Sequence, residues 1–354
     1  MISSILQKLH QHPSIKTRAL SLCMAFGFSL LATSASAEPD PNFHIYLMFG
    51  QSNMEGAGKI EAQDRVTNPR VKVMSDLNCS NLSRTYGNWY LASPPLNRCW
   101  SGLGPGDYFG KTMADAMPTS VTIGLVPAAI SGIAIEFYQK SAPLGRNNTD
   151  FPPQFNGGYA WLLDMAQKAQ SAGVIKGIIF HQGETNNGDP QWKDKVKEIV
   201  TQLRADLNIG DVPFLAGETL YADYQSCCSL HNAQINKLPA ELSNSVVISA
   251  AGLPGADEAH FTSASYREFG YRYATVMLEK IDYTSDNNSS ASAVSSAAAS
   301  VAASSASSIA PSSKAASSAA ASTPAKNSSG GGSISWLMLL LLAAVALPKS
   351  RHSQ

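Results

Sequence analysis

The sequence predicts an α/β domain built on a mostly parallel sheet with helices on both faces. Two observations carry that expectation. Residues 45–49, 121–126, 175–180, 212–216 and 246–249 are short apolar runs bounded by glycine or polar residues, the length and framing of fully buried strands. Segments of helical apolar spacing lie between and after them. Strands that are apolar at every position belong to sheets covered on both faces, and strand–helix alternation makes such sheets parallel. Ligands of these sheets sit beyond the carboxyl ends of the strands, so the residues just past each run matter most.

Taken in order, the first run follows His44 and stops at Gly50, after which come Gln51, Ser52 and Asn53. Asp107, after Gly104-Pro105-Gly106, reads as the N-cap of a helix through Phe109 and Met113. The second run leads into Pro127 and then Ser131-Gly132. Tyr159, Leu162, Leu163 and Ala166 mark a helix, and the third run ends in His181-Gln182-Gly183-Glu184-Thr185-Asn186. Trp192, Val196, Ile199, Val200, Leu203 and Leu207 fall on one face of a longer helix. After the fifth run, Asp257-Glu258-Ala259-His260-Phe261 occupies a loop before a last helix carrying Tyr266, Phe269, Tyr273, Met277 and Ile281.

The ends of the 354-residue chain read differently. Residues 1–37 hold Lys8, Lys16 and Arg18 and no acid, then an apolar stretch, then Ala35-Ser36-Ala37. This is the layout of a secretory signal peptide cut after Ala37, and the apolar stretch is short for the roughly 20 residues of a membrane span. An N-terminal anchor is the alternative, and Cys23 is expected to leave with the signal. Residues 284–329 are mostly Ser and Ala without aromatics, a composition that cannot offset its ordering entropy and reads as a disordered linker. Residues 330–354 hold Gly330-Gly331-Gly332, an apolar segment, and Lys349 and Arg351.

Between the ends lies one domain, residues 38–283. The ends carry seven of the 26 basic residues and one of the 26 acidic ones, which leaves the domain at net −6. That gives no support for a nucleic-acid partner and suits a neutral or cationic substrate. Cys79, Cys99, Cys227 and Cys228 remain in the exported chain, and four cysteines allow three connectivities. Cys79–Cys99 is the favoured pair because it closes a loop poor in regular structure. Cys227 and Cys228 are then either joined as neighbours or two thiols. No C-x-x-C spacing or histidine cluster suggests a metal, and no cofactor is expected.

The strand ends supply the inventory of an acyl-transfer hydrolase. Serine needs an adjacent base, and Ser52 is the candidate nucleophile. His260 is the candidate base, since imidazole accepts and returns a proton near neutral pH. Asp257, three residues upstream, can hold that imidazole in one tautomer, with Glu184 as the rival acid. The backbone N–H groups of Ser52 and Gly132 and the side-chain amide of Gln182 are candidate donors to the oxyanion. His44, His181 and His231 read as structural.

Gly50-Gln51-Ser52-Asn53-Met54, Gly104-Pro105-Gly106-Asp107-Tyr108-Phe109-Gly110, His181-Gln182-Gly183-Glu184 and Asp257-Glu258-Ala259-His260-Phe261 occur in an order that resembles carbohydrate esterase family six. That family and its sialate O-acetylesterase-like (SASA) relatives belong to the SGNH-hydrolase superfamily. The resemblance runs from Phe43 to Ile281. It implies a three-layer α/β/α sandwich of flavodoxin-like kind that removes acetyl groups from sugar hydroxyls, most often on xylan. It also implies Ser52 as nucleophile, His260 as base, Asp257 as orienting acid and Gln182 as an oxyanion donor in place of an asparagine. Gly132 matches in a segment that varies more among the family's members. Residues 330–354 resemble the GlyGly-CTERM sorting signal of Gram-negative bacteria, which implies passage through the membrane and cleavage near the glycines by a rhomboid-type protease. A plain tail anchor is the alternative.

The expectation is therefore an exported, metal-independent serine esterase with a monomeric catalytic domain acting on acetylated polysaccharide, above all acetylxylan. Sialate O-acetyl groups or another small acyl ester are the nearest alternatives, and a non-catalytic surface carbohydrate-binding module is the alternative of a different class. The aromatics Tyr86, Trp89, Tyr90, Trp100, Phe151 and Phe155 either stack on sugar rings or pack.

Overall fold

A computed structural model describes residues 38–141 and 152–281. The signal peptide, linker and sorting tail read from the sequence lie outside the described residues.

The chain forms β1 (Asp40–Gly50), α1 (Ser52–Glu55), β2 (Val71–Met74), β3 (Trp89–Leu91), α2 (Pro105–Ala116), β4 (Thr122–Ala129), α3 (Gly158–Gln170) and β5 (Gly173–His181). It continues through α4 (Trp192–Leu207), β6 (Phe214–Gly217), α5 (Asn232–Ile235), α6 (Leu238–Glu241), β7 (Ser245–Ile248) and α7 (Ser263–Lys280). The seven strands make one sheet in the order β3-β2-β4-β1-β5-β6-β7. Every pairing is parallel except β2 with β3.

β1 lies at the centre, and its residues from His44 to Gly50 are all buried. Alternate side chains leave opposite faces of a strand. Ile45, Leu47 and Phe49 enter one apolar layer with Trp161 and Leu162 of α3 and Val196 and Ile199 of α4. Tyr46 and Met48 enter the other with Phe109 and Met113 of α2 and Phe269 and Tyr273 of α7. The run is apolar throughout because each face meets its own helices, and the result is an α/β/α sandwich. Each large side chain so buried contributes about 1.5–3 kcal/mol.

α4 follows the same logic. Its Trp192, Val196, Ile199, Val200, Leu203 and Leu207 are all buried, and Asn208, at φ 51°, ends it in the left-handed conformation that asparagine tolerates.

Two strands and one cap differ from the sequence reading. β2 is four residues long with Lys72 inside it, and β3 is a three-residue, partly exposed edge strand, so neither gives a continuous apolar run. Asp107 is not the N-cap of α2. Gly104 is, and Asp107 sits three residues in, where its carboxylate accepts the Gly104 N–H at 3.4 Å. Both cysteine pairs are disulfides: Cys79–Cys99, with Cα atoms 5.3 Å apart, and the neighbours Cys227–Cys228, at 3.7 Å.

Register sets where chemistry can happen. Gly50 lies opposite Ala129 of β4 and His181 of β5, so three central strands end in one row. At Gly50 φ is +138°, and a Cβ there would stand 2.0 Å from His181 O. Only glycine fits at the point where the chain turns out of the sheet.

Candidate active site

Ser52 begins α1 one residue beyond Gln51, the first residue past that glycine. The turn is pinned from below: Gln51 N–H donates to His181 O at 2.9 Å, and the Tyr138 hydroxyl lies 2.8 Å from Gly50 O and 2.7 Å from Ala128 O. The Met54 and Glu55 amides both close onto Gln51 O at 2.8 Å. The Ser52 N–H is at the start of α1 and has no acceptor within the helix.

The loop before α7 brings the imidazole to this serine. His260 Nε2 lies 3.0 Å from Ser52 Oγ, and its Nδ1 lies 2.9 Å from Asp257 Oδ2. Asp257 Oδ1 accepts the backbone N–H groups of Ala259, at 2.8 Å, and His260, at 2.7 Å. The three-residue reach therefore closes as an Asx-type turn. Burial pushes the Asp257 carboxyl up, but its hydrogen bonds from the His260 ring, Ala259 and His260 outweigh that and hold it below the ordinary carboxylate value. The ends of the loop are tied by Ala256 N–H to His260 O, at 2.8 Å, and Thr262 caps α7 through the Ser265 N–H, at 3.2 Å.

Gly132 follows β4 in a turn at φ +65°, a conformation suited to glycine. Its neighbour Ser131 donates a backbone N–H to the carboxylate of Glu55, a buried side chain of α1. The segment carrying Gly132 is thus tied directly to the helix carrying Ser52.

Gln182 is fully buried and its amide is engaged. Its Nε2 lies 3.0 Å from Gln51 Oε1, 3.2 Å from Ile133 O and 2.8 Å from Asn186 Oδ1, and its Oε1 accepts the Trp192 indole N–H. Two N–H bonds thus face three acceptors, and the side chain braces the turn. Glu184 is engaged elsewhere: its Oε1 accepts Asn53 Nδ2 at 2.5 Å and stands 3.7 Å from His181 Nδ1.

Asn53, Glu55 and Gln51 are the residues that motif reading left without roles. Asn53 Nδ2 also donates to Ala259 O at 2.9 Å, and its Oδ1 accepts the Tyr266 hydroxyl at 2.5 Å. It therefore joins α1 to the histidine loop and to α7. The available signal was four polar residues, Gln51, Ser52, Asn53 and Glu55, in one short segment that the fold nonetheless buries.

His181 is buried, with Nε2 2.9 Å from Glu218 O. His231 packs edge-on to Trp192, with its ring centroid 4.6 Å away, and burial holds its pKa down at about 4. His44 is likewise lowered to about 4, by burial and then by Lys176. Tyr86 donates to Asp164 Oδ2 at 2.6 Å and Trp89 packs edge-on to Phe43, whereas Trp100 is 61% exposed. Phe151 lies outside the described residues. Among the described residues, no group of three or more His, Cys, Asp or Glu side chains could hold a metal ion, and no helix is long and apolar enough to cross a membrane.

Comparison with known proteins agrees with this architecture. The profile of a family described as carbohydrate esterase, sialic acid-specific acetylesterase (SASA) matches residues 42–279. A probable carbohydrate esterase of Arabidopsis thaliana is 26% identical over 266 residues, covering 68% of this chain and 92% of that protein. The crystal structure of that Arabidopsis protein superposes with a TM-score of 0.55 at 24% identity, over 68% of this chain and 100% of the other. The structure of NanS superposes with a TM-score of 0.53 at 14% identity, over 68% and 98%. These likenesses show a shared fold.

Proposed function

The chain belongs to the SASA family of carbohydrate esterases, and from that premise we propose that it is a serine esterase that removes O-acetyl groups from a neutral polysaccharide, acetylxylan first. One observation carries the mechanism: Ser52 Oγ stands 3.0 Å from His260 Nε2 while Asp257 holds the opposite nitrogen at 2.9 Å. With the proton on Nδ1 directed at Asp257, Nε2 is the acceptor for the serine hydroxyl.

Ser52 Oγ attacks the acetyl carbonyl carbon as its proton passes to His260. The imidazolium, stabilised by Asp257, gives that proton to the departing sugar oxygen and leaves acetyl-Ser52. Water then attacks with the same base, and acetate departs. The negative carbonyl oxygen is met by the backbone N–H groups of Ser52 and Gly132. Gln182 can join as a third donor only by releasing one of its present acceptors.

A neutral substrate is favoured over a sialate by charge. The domain is net −6, and the side chain of Asp257 is 54% exposed beside the exposed Glu258, so an anionic sugar would approach like charge. Residues 1–37 and 330–354 support export and a membrane-associated sorting step as part of the same proposal.

The test is acetate release by the domain from acetylated xylan and from an O-acetylated sialic acid, with Ser52→Ala alongside. Release from xylan by the wild type and none by the variant supports the reading. Preference for the sialic acid moves the substrate. Binding of oligosaccharide without turnover of any ester overturns the enzyme in favour of a binding module.

A further inference from the structure

The Cys227–Cys228 disulfide has no evident purpose as a staple. The chain entropy that a disulfide removes from the unfolded state grows with the loop it closes and is least for neighbours. Its placement offers a different purpose. The Cys227 N–H donates to Glu258 O at 2.9 Å, within the loop that carries Asp257 and His260. The Cys227 carbonyl accepts Asn187 Nδ2 at 3.0 Å, and Cys228 Sγ rests 3.6 Å from Glu184 O. The Cys228 carbonyl accepts the Thr219 hydroxyl at 3.1 Å, beyond the end of β6. One small ring thus touches the loop after β5, the loop after β6 and the histidine loop. Glu184 in turn holds Asn53, next to Ser52.

We propose that the Cys227–Cys228 disulfide is a thiol-responsive clamp that positions the Asp257–His260 loop, so that reduction lowers turnover without abolishing it. The inference rests on the esterase reading above. The chemistry is thiol–disulfide exchange with a low-molecular-weight dithiol. Cys227 is exposed and Cys228 buried, so a thiolate reaches Cys227 Sγ. It forms a mixed disulfide there, and Cys228 leaves as a thiolate and takes a proton from water. The second thiol of the reagent then closes its own ring and releases Cys227 as the thiol. Two cysteine thiols form and the dithiol becomes a cyclic disulfide. Opening the ring frees rotation about the Cys227–Cys228 link. The buried Cys228 stays in place, and the exposed Cys227, with its grip on Glu258, is the half set loose.

The loop keeps its other ties, from Asn53 Nδ2 to Ala259 O and from Ala256 to His260. The expected loss in kcat is therefore about tenfold, short of the roughly 10²-fold that a full ångström of misplacement costs, with KM changed by less than about twofold.

The experiment measures kcat and KM for an aryl acetate before dithiothreitol, after it, and after reoxidation. Alkylation and mass spectrometry report which cysteines have opened, and circular dichroism follows the fold. A reversible fall in kcat that tracks opening of Cys227–Cys228 is the expected result. The Cys227→Ser/Cys228→Ser double variant should start at the lowered kcat and ignore the dithiol. Quantitative opening of the pair with unchanged kcat overturns the clamp, whether or not the double variant folds, as does a dithiol response that persists in that variant. If the oxidised wild type turns over no ester, the esterase reading fails and the clamp fails with it. Turnover indifferent to thiol state sinks the clamp alone.

Discussion

Asp257 and His260 face each other across three residues of chain, with the carboxylate oxygens 2.9 and 3.1 Å from Nδ1 and one of them also accepting two backbone N–H groups. The carboxylate is fixed before it touches the ring, so the ring orientation follows from the turn. Replacing Asp257 by Asn offers Nδ1 a partner that can impose the wrong tautomer, and kcat on an aryl acetate is expected to fall by about 10⁴-fold. Glu184→Gln keeps an oxygen for Asn53 and is expected to cost less than about tenfold, since a neutral acceptor suffices for one hydrogen bond. The reverse order of the two variants would give the acid's role to Glu184.

Gln182 and Trp192 yield a prediction that separates bracing from catalysis. Gln182→Ala removes the acceptor of a buried indole N–H and the donor to Gln51, Ile133 and Asn186. Leaving buried polar groups unsatisfied costs about 1–3 kcal/mol each. The variant is therefore expected to unfold about 3 kcal/mol more easily in urea, with activity falling in parallel. A kcat lower by about 10²–10³-fold at unchanged stability would instead assign Gln182 to the oxyanion.

The parts of this architecture visible in the sequence are those where one residue decides its own environment. Phe49 and Phe180 report burial directly, and Gly50 reports the turn, so the central strands and the residues at their carboxyl ends could be read in order. Val71–Met74 and Trp89–Leu91 could not, because a short strand carrying Lys72 and a partly exposed edge strand take their identity from the neighbours they pair with. The same limit applies at the site. Ser52, His260 and Asp257 stand out by chemistry, whereas the ties made by Asn53, Glu55 and Gln182 depend on partners up to 213 residues away that only the folded chain brings near.

Glu55 is the clearest of those ties. Its carboxylate on α1 receives the Ser131 N–H, and so relates the Ser52 amide to the Gly132 amide. Donors to an oxyanion act on the transition state more than on the bound ester. Glu55→Ala should therefore lower kcat by about 10–10²-fold with little change in KM. Glu55→Gln retains an acceptor oxygen and should keep most of the turnover. An alanine variant that raises KM and spares kcat would place Glu55 in substrate binding instead.

The buried carboxyl of Asp107 makes a prediction about stability and pH. It is 4% exposed at the start of α2, and burial raises its pKa to about 7 against the opposing pull of Lys111, the Gly104 amide and Arg84. In the unfolded chain an aspartate releases its proton near pH 4. Between about pH 4 and 7 the folded state therefore binds more protons than the unfolded state, and stability falls as pH rises. The contribution of this group is fully present below pH 4 and is lost as pH passes through about 7, a change on the order of 4 kcal/mol. Asp107→Asn cannot ionise and keeps an oxygen for the Gly104 N–H, so it should gain on the wild type as pH rises. Asp76, raised to about 6, first by burial, has the same sign and survives in the variant, so the slope should flatten without vanishing. Urea midpoints of both proteins at about pH 4.5 and 7.5 read the difference. Equal slopes would mean that Asp107 ionises in the folded state as readily as in the unfolded one, and that Lys111 and Arg84 fully compensate its burial.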